Sequence, residues 1–340
     1  EITNIIFQNF VNELKFLNNQ LYVGKAKTIL ATEDQNQVIV KFDDRITAGD
    51  GAKKADIGGK GFTNCRISVI LFKILEKYQI NTHLIEDIGD IMLKCHKLEI
   101  LPIEVICRNI SAGSFCRRYG VEEGRLFDEP LIEFFLKNDE LHDPLLSEGS
   151  IISLKMATKI QLEILAAIAL RVNTVLQNIF RQLNLELVDF KLEFGYNQNG
   201  SLLLGDEISP DSMRLWQLNQ DGEKIIFDKD IFRKDLGDVL SGYNEVLQRL
   251  NNLEQPIIEV KPYSFKIDVF LKDGVIDAQG EVIKRAIQRL GFNNFEEIKT
   301  GKSFKINIDT INSEILMTLE KLAEELLANP LIETWNISLV

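Results

Sequence analysis

The stretch Leu187–Trp216 reads LVDFKLEFGYNQNGSLLLGDEISPDSMRLW and holds the densest set of groups able to do chemistry. Asp189, Lys191 and Glu193 alternate with Val188, Phe190, Leu192 and Phe194. Period-two spacing puts acid, base and acid in a row on one face of a strand and the apolar set on the other. Asn197–Gly200 supplies turn residues, and Ser201–Asp206 is predicted to return as a second strand. Pairing of the two brings Glu193 and Asp206 together near one end. Two adjacent carboxylates repel unless a cation lies between them. Their hard oxygens suit Mg²⁺ with water and phosphate in its open positions, or Lys191 neutralises them instead. Arg214 stands ready for a phosphate or carboxylate. For an arbitrary strand of this pattern a solvated charged face is the commoner outcome.

Two further groups could meet an anion. Leu21–Leu30 (LYVGKAKTIL) places Gly24 before Lys25, Ala26 and Lys27, and Val38–Phe42 reads as a returning strand. A glycine turn lets backbone approach phosphates, and the lysines add charge, although the sequence is not a Walker loop. Pro102–Gly120 (PIEVICRNISAGSFCRRYG) puts Arg108 at a strand end. The small residues Ser111–Ser114 follow, then Arg117 and Arg118, a pattern suited to a ribose-phosphate cradle. Asp43–Lys54 (DDRITAGDGAKK) has the Gly and Asp density of a loop.

Several elements must position these groups. Glu1–Gln20 has helical spacing or is an irregular lead-in. A helix is predicted from about Asn64 to Gln79 with a core-facing stripe, and strands over Ile88–Lys94 and Glu104–Asn109. Lys155–Leu183 is the longest helical pattern and reads as a core helix behind the hairpin. Val239–Leu250 is a closing helix. Residues 251–263, polar with two prolines, read as a linker. Beyond it come strands over Phe265–Leu271, Glu296–Gly301, Ser303–Asp309 and Thr334–Val340, with helices over Ala278–Leu290 and Ser313–Ala328. That order, β-α-β-β-α-β, predicts a small two-layer sandwich.

The 340 residues suggest two or three domains, and the net charge of −12 argues against nucleic acid or an anionic membrane as partner. The longest apolar run, Ile164–Leu170, is short of the roughly 20 residues that cross a bilayer. Cys65, Cys95, Cys107 and Cys116 form no C-x-x-C pair, and His83, His96 and His142 are scattered, so a zinc site is not expected. No signal-peptide pattern opens the sequence, and a reduced cytoplasmic location is expected.

The run VDFKLEFG followed by DEISPDSMRLW resembles the signature of the SAICAR synthetase family (phosphoribosylaminoimidazole-succinocarboxamide synthase). Gly24-Lys25-Ala26-Lys27, the Asp43–Lys54 loop, Asn81-Thr82-His83, the Arg108–Gly120 run, Lys137-Asn138-Asp139 and Asp228–Gly237 are similar to further family motifs. Val23 departs from the family pattern, which has an acid there. The resemblance implies an α+β fold over 1–250, two-lobed and ATP-binding, with antiparallel sheets and helices. The lobes are expected at about 1–110 and 111–250. It also implies an ATP-dependent ligase joining L-aspartate to carboxyaminoimidazole ribonucleotide through an acyl phosphate.

What the resemblance implies for single residues is specific. Lys25, Ala26 and Lys27 are expected on the ATP phosphates and Lys137 at the nucleotide. Glu193 is expected at the nucleotide and, with Asp206, on Mg²⁺. Asp189 and Lys191 are expected to face the imidazole substrate. Arg108, Ser114 and Arg214 are expected on its phosphate and carboxylate, and Asp44 on the substrate. His83 is expected to be structural.

Lys272–Gly280, Gly301-Lys302 and Leu327–Glu333 resemble the PurS family, the small non-catalytic subunit of phosphoribosylformylglycinamidine synthase. Asp273 replaces a proline usual in the first of these motifs. Residues 264–340 are therefore expected to bind the large synthetase subunit and the glutaminase, and the free sheet edges point to a homo-oligomer. The competing expectation is an assembly protein whose ligase part is weakened or altered.

Overall fold

The computed structural model describes residues 19–49, 51–221, 223–254 and 257–340. The lead-in expected over Glu1–Gln20 lies almost wholly outside the described residues. Strands are β1 (Gln20–Val23), β2 (Lys27–Ala31), β3 (Gln37–Phe42), β4 (Arg45–Ala48), β5 (Lys53–Asp56), β6 (Leu84–Asp87), β7 (Met92–His96), β8 (Glu99–Ile110), β9 (Leu126–Leu136), β10 (Leu145–Leu146), β11 (Glu186–Tyr196), β12 (Leu202–Leu204), β13 (Met213–Leu218) and β14 (Lys224–Ile226), then β15 (Tyr263–Leu271), β16 (Gly301–Ile308) and β17 (Glu333–Leu339). Helices are α1 (Lys60–Lys77), α2 (Ser114–Tyr119), α3 (Glu148–Ser153), α4 (Lys159–Gln182), α5 (Asp230–Arg233), α6 (Val239–Asn251), α7 (Ala278–Arg289) and α8 (Ile315–Leu322). The chain divides into two units, one of 1–158 with 168–260, the other of 159–167 with 261–340.

In the first unit, a five-stranded sheet in the order β1-β2-β3-β7-β6 forms the smaller lobe. Val38, Val40 and Phe42 of β3 alternate inward against Cys65 and Val69 of α1 and Leu93 and Cys95 of β7. The larger lobe is a sheet ordered β10-β9-β8-β11-β13-β14, with β12 also paired to β11. Because all twelve residues of β8 belong to that sheet, the lobe boundary falls just before Glu99, earlier than the expected residue 110. The hairpin β4–β5 packs Ile46 and Ala48 onto Ile231, Phe232, Val239 and Tyr243.

Strand β11 is central, with β8 on one side and β12 and β13 on the other. This overturns the idea of a solvated charged face. Asp189 and Glu193 are buried, as are Val188, Phe190, Leu192 and Phe194. The apolar face is closed by α4, whose Asn173 exchanges side-chain hydrogen bonds of 2.8 and 2.9 Å with Asn109 of β8. Helix α4 is long and apolar enough to span a bilayer by length and composition. Its Leu165, Ala169, Val172, Leu176 and Phe180 are buried in the protein, as a core helix requires.

The linker is not free throughout. Ile258 is buried and its N–H donates to Tyr78 Oη at 3.2 Å. In the second unit β15 is the middle strand of β16-β15-β17, and Phe265, Ile267 and Val269 are fully buried. The expected strand Glu296–Gly301 is not formed, and the order among the described residues is β-α-β-α-β. Asp277 captures that segment instead. Its carboxylate caps α7 at the Gly280 N–H (2.8 Å) and also accepts the Thr300 N–H and hydroxyl, so the backbone there is spent on a helix cap.

Candidate active site

Three charged residues line up across three strands of the larger sheet. Asp189 lies opposite Arg108 of β8 and opposite Arg214 of β13. Arg108 Nη1 donates to Asp189 Oδ2 at 2.7 Å, and Arg214 Nη1 donates to both oxygens at 2.9 and 2.7 Å. Arg108 also reaches Glu133 Oε2 at 2.6 Å, and Arg214 reaches Asp230 Oδ2 at 3.3 Å. Burial alone would lower the pKa of Arg214, but Asp189 and Asp230 outweigh it and raise it. Both guanidiniums are held flat and charged, the condition for gripping an anion.

Four residue pairs further along, β11 meets the second charged group. Glu193 is directly opposite Glu104, a like-charge pairing that would push strands apart. Lys191 Nζ bridges them, 2.7 Å from Glu104 Oε1 and 2.6 Å from Glu193 Oε1. Lys137 adds a bond of 2.7 Å to the same Glu193 oxygen. Burial disfavours the Lys191 cation, yet Glu193, Asp206 and Glu104 raise its pKa well above the ordinary value.

The hairpin closes as the spacing predicted, with Phe194 opposite Leu204 and the Gly205 N–H donating to the Glu193 carbonyl at 2.8 Å. Asp206 follows with a left-handed φ of 57°. Its Oδ1 pairs with Lys27, which also contacts Glu207 Oε1 at 3.1 Å. Burial would raise the pKa of Asp206, but Lys27 and Lys191 hold it well below the usual carboxylate range. Lys27 opens β2 at the end of the turn after β1, which is closed by Gly24 N–H to the Lys27 carbonyl at 2.8 Å. The glycine turn thus brings a lysine of the smaller lobe onto an acid of the larger one. Lys25 pairs with Asp139 at 2.7 Å near the surface.

These groups line one cleft of about 710 Å³ between the lobes. Lys25, Ala26, Lys27, Lys137, Glu193, Asp206, Asp189, Lys191, Arg108, Ser114 and Arg214 all face it. Ile29, Val38 and Val40 of the small sheet, with Leu98 and Ile100, make an apolar stretch of its wall. Ser114 opens α2, where Arg118 Nη1 donates to its hydroxyl at 3.3 Å.

Asp44 is the exception to the expected set. It does not line the cleft, and its Oδ1 accepts the Gly61 N–H at 2.8 Å. The expected loop over Asp43–Lys54 is largely the β4–β5 hairpin, and Asp44, just before β4, anchors the start of α1, where a Cβ on Gly61 would come within 2.7 Å of the Phe42 carbonyl. A carboxylate there satisfies an otherwise bare helix N–H.

Residues 20–250 match the SAICAR synthetase family profile, and residues 264–340 match the PurS family, phosphoribosylformylglycinamidine (FGAM) synthase. A phosphoribosylaminoimidazole-succinocarboxamide synthase of Finegoldia magna is 48% identical over 231 residues, covering 68% of this chain and 98% of the relative. The chain belongs to the SAICAR synthetase family. The crystal structure of the synthase from Ehrlichia chaffeensis superposes with a TM-score of 0.66 at 42% identity, covering 69% of this chain and 99% of that one. A SAICAR synthetase in complex with ADP gives 0.65 at 41% identity, covering 70% and 99%. The enzyme is a ligase of purine biosynthesis that carries a C-terminal PurS-like domain.

The synthetase cleft also holds residues that lie within the matched motifs but were given no individual role from the sequence. Glu104, Glu207, Asp211, Lys229 and Arg233 line it. Glu104 was open to discovery, since alternation along β8 puts it on the face of Arg108. The Asp211 side chain is almost wholly enclosed and takes Lys60 Nζ at 2.7 Å and the Tyr243 hydroxyl at 2.7 Å. Burial would raise its pKa, but Lys229 and Lys60 bring it down to about 2. Lys60 is itself buried at the start of α1, and no local signal marks a lysine that reaches across lobes. His83 also lines the cleft, and burial pushes its pKa down to about 4.

Proposed function

We propose that this synthetase uses ATP to join L-aspartate to carboxyaminoimidazole ribonucleotide, giving SAICAR, ADP and phosphate. The observation that carries the reading is one cleft with a row of buried acids bridged by Lys27, Lys137 and Lys191 at one part and the Arg108–Asp189–Arg214 line at another. A carboxylate is a poor electrophile because oxide would have to leave. A carboxylate oxygen of the substrate attacks the γ-phosphorus and ADP departs. The aspartate amine then attacks the acyl carbon, phosphate departs with the C–O electron pair, and the amine loses a proton. Two anions must be aligned for the first step, which calls for fixed cations more than for a nucleophile.

In this reading Lys25, Lys27 and the Ala26 backbone meet the nucleotide phosphates, with Lys137 beside them. Arg108, Ser114 and Arg214 hold the phosphate and carboxylate of the ribonucleotide. Asp189 aligns the two arginines, and Lys191 faces the imidazole. The ADP held by the 41%-identical relative supports nucleotide use here. The donor set also suits Mg²⁺. Glu193 spends Oε1 on its two lysines and Asp206 spends Oδ1 on Lys27, so hard oxygens converge in a polar cleft. Among the described residues no three acidic, His or Cys side chains cluster to hold an ion alone. Glu193 and Asp206 would therefore share it with phosphate and water, the usual habit of Mg²⁺. The ion would neutralise phosphate charge as the γ-phosphoryl group moves.

The PurS-like domain is read as an assembly module for the large subunit and the glutaminase of FGAM synthase. Its strands β16 and β17 are sheet edges, which suits self-association as well. The free cysteines fit a cytoplasmic location.

The deciding experiment incubates the purified chain with ATP, Mg²⁺, aspartate and carboxyaminoimidazole ribonucleotide and reads the succinylated product by mass. Product that needs all four is expected, and none from folded protein would overturn the reading. Pull-down of the FGAM synthase components with the full chain, but not with one lacking Lys261–Val340, is expected for the assembly role. Equal capture by both would remove it.

A further inference from the structure

We infer that Glu207 is a positioning residue for the ligase reaction, a fixed carboxylate that holds the Lys27 ammonium where the nucleotide phosphates meet it. The inference deepens the reading of Lys27 as a phosphate contact and rests on that reading.

Asp206 and Glu207 are neighbours in sequence and share Lys27, but the two carboxylates are held differently. Lys27 Nζ pairs with Asp206 Oδ1 and lies 3.1 Å from Glu207 Oε1. Glu207 Oε2 accepts the Ser209 hydroxyl at 2.6 Å. Both Glu207 oxygens therefore have fixed partners, whereas Lys27 takes one oxygen of Asp206. Glu207 is 7% exposed, and Ser209 is fully buried.

The turn that carries Glu207 is closed at several points. Ser209 N–H donates to Ser212 Oγ at 3.1 Å, and Asp211 N–H donates to Ser209 Oγ at 3.2 Å. Helix α1 grips the same turn twice. Ser68 Oγ donates to the Ile208 carbonyl at 3.2 Å, and Lys60 Nζ donates to Asp211 Oδ2 at 2.7 Å. Lys229 N–H adds a bond to the Pro210 carbonyl at 3.1 Å. Glu207 is thus built into a rigid turn, while Lys27 reaches it from the smaller lobe on a long side chain. A lysine gives up much rotamer freedom when its ammonium is fixed, and Glu207 imposes that loss before a nucleotide arrives.

Asp206 alone would not serve. In the reading above its carboxylate is shared with Mg²⁺, which leaves Glu207 as the partner that keeps Lys27 in place. The ammonium then stands between two anions, the Glu207 carboxylate and a phosphate. An acid that merely lined the cleft would repel phosphate, whereas one that fixes a lysine helps to bind it. The two roles differ in sign.

The test titrates ADP into the full chain by calorimetry, in Mg²⁺ and again in EDTA. Glu207→Gln keeps the size and an acceptor for Ser209 and removes the charge. Expected is ADP binding weakened roughly 10-fold in both conditions, the scale of a lost charge-assisted hydrogen bond. Unchanged or tighter binding overturns the inference. A loss confined to Mg²⁺ does so too, because it would make Glu207 a metal ligand. Ser209→Ala, which frees Oε2, should weaken ADP about threefold. In a Lys27→Met background Glu207→Gln should change ADP affinity less than about twofold, and a full effect there would show that Glu207 acts without Lys27. Thermal midpoints are measured alongside, and affinity losses that only follow them overturn the inference. The ligand-free protein gives a readout that needs no nucleotide. Acetic anhydride should acetylate Lys27 at least ~3-fold faster in Glu207→Gln than in wild type, read by peptide mass, with Lys25 unchanged. Equal labelling overturns the inference. Absence of ADP binding by the wild type would instead count against the nucleotide reading, with the labelling ratio still deciding the contact.

Discussion

Glu104 and Glu193 face each other directly across β8 and β11, and the Lys191 ammonium bridges them. Burial raises the pKa of Glu104, with Lys191 pulling against it. Lys191→Met is therefore expected to cost stability on the order of 3 kcal/mol, because two carboxylates lose their shared cation. It should also lower turnover at least ~10²-fold. Adding Glu104→Gln should restore much of the stability and none of the turnover. Urea unfolding and steady-state rates of the two variants check this. Recovery of turnover in the double variant would show that Lys191 acts only as a strut.

Asp206→Asn keeps the hairpin and removes one charge. Turnover is expected to fall at least ~10²-fold, with the unfolding midpoint lowered as well because Lys27 and Lys191 lose a carboxylate partner. The Mg²⁺ concentration giving half-maximal rate should rise. Near-normal turnover at low Mg²⁺ would remove Asp206 from the metal assignment.

Asp44 accepts the Gly61 N–H at the start of α1. Asp44→Ala leaves the buried Gly61 N–H without its partner and is expected to cost about 1–3 kcal/mol of stability. KM for ATP and for the ribonucleotide should stay within about threefold. A tenfold rise in either KM with unchanged stability would return Asp44 to the substrate.

Asp228 gives a pH signature. It is fully buried, and burial, reinforced by Asp230, pushes its pKa up to about 7 from an ordinary value of 3.8. A folded-state pKa above the unfolded one means a stabilising contribution that is complete below about pH 4. It is lost as pH rises through about 7. Asp228→Asn removes this titration while keeping an oxygen for the Leu215 N–H. The stability of the variant relative to wild type should therefore climb by roughly 1.4 kcal/mol per pH unit between the two pKa values and then level off. Urea unfolding at pH 5, 6, 7 and 8 measures the slope, and a flat difference would place the Asp228 pKa near its ordinary value.

Much of the synthetase site was legible because its chemistry sits on one strand whose alternation fixes direction. Asp189, Lys191 and Glu193 share a face in any register, and the Asn-Gln-Asn-Gly turn sets where Asp206 returns. What the pattern could not supply was the environment of that face. Whether a charged strand face meets water or a second lobe depends on β2, β3 and the Gly24 turn, far away in sequence. Asp44 sits away from the cleft lining for a related reason. A Gly- and Asp-rich loop is equally suited to touching a ligand and to capping a helix, and only the position of Gly61 decides. In the PurS-like domain the missing strand Glu296–Gly301 has strand-like composition. The Asp277 cap competes for its backbone, and that competition is invisible to periodicity.

Gly113 would mislead a saturation-mutagenesis screen. Its φ is 57°, and a Cβ there would fall on the Arg214 guanidinium, 2.8 Å from Cζ. Every other amino acid would evict that arginine from Asp189 and leave a buried carboxylate short of a partner. Such a screen would score position 113 as intolerant as any ligand contact, although the residue contributes only empty space and a backbone bend. The space belongs to the neighbour's side chain, and a paired replacement that shortens Arg214 would lift the clash at 113 while leaving the backbone strain that only glycine escapes.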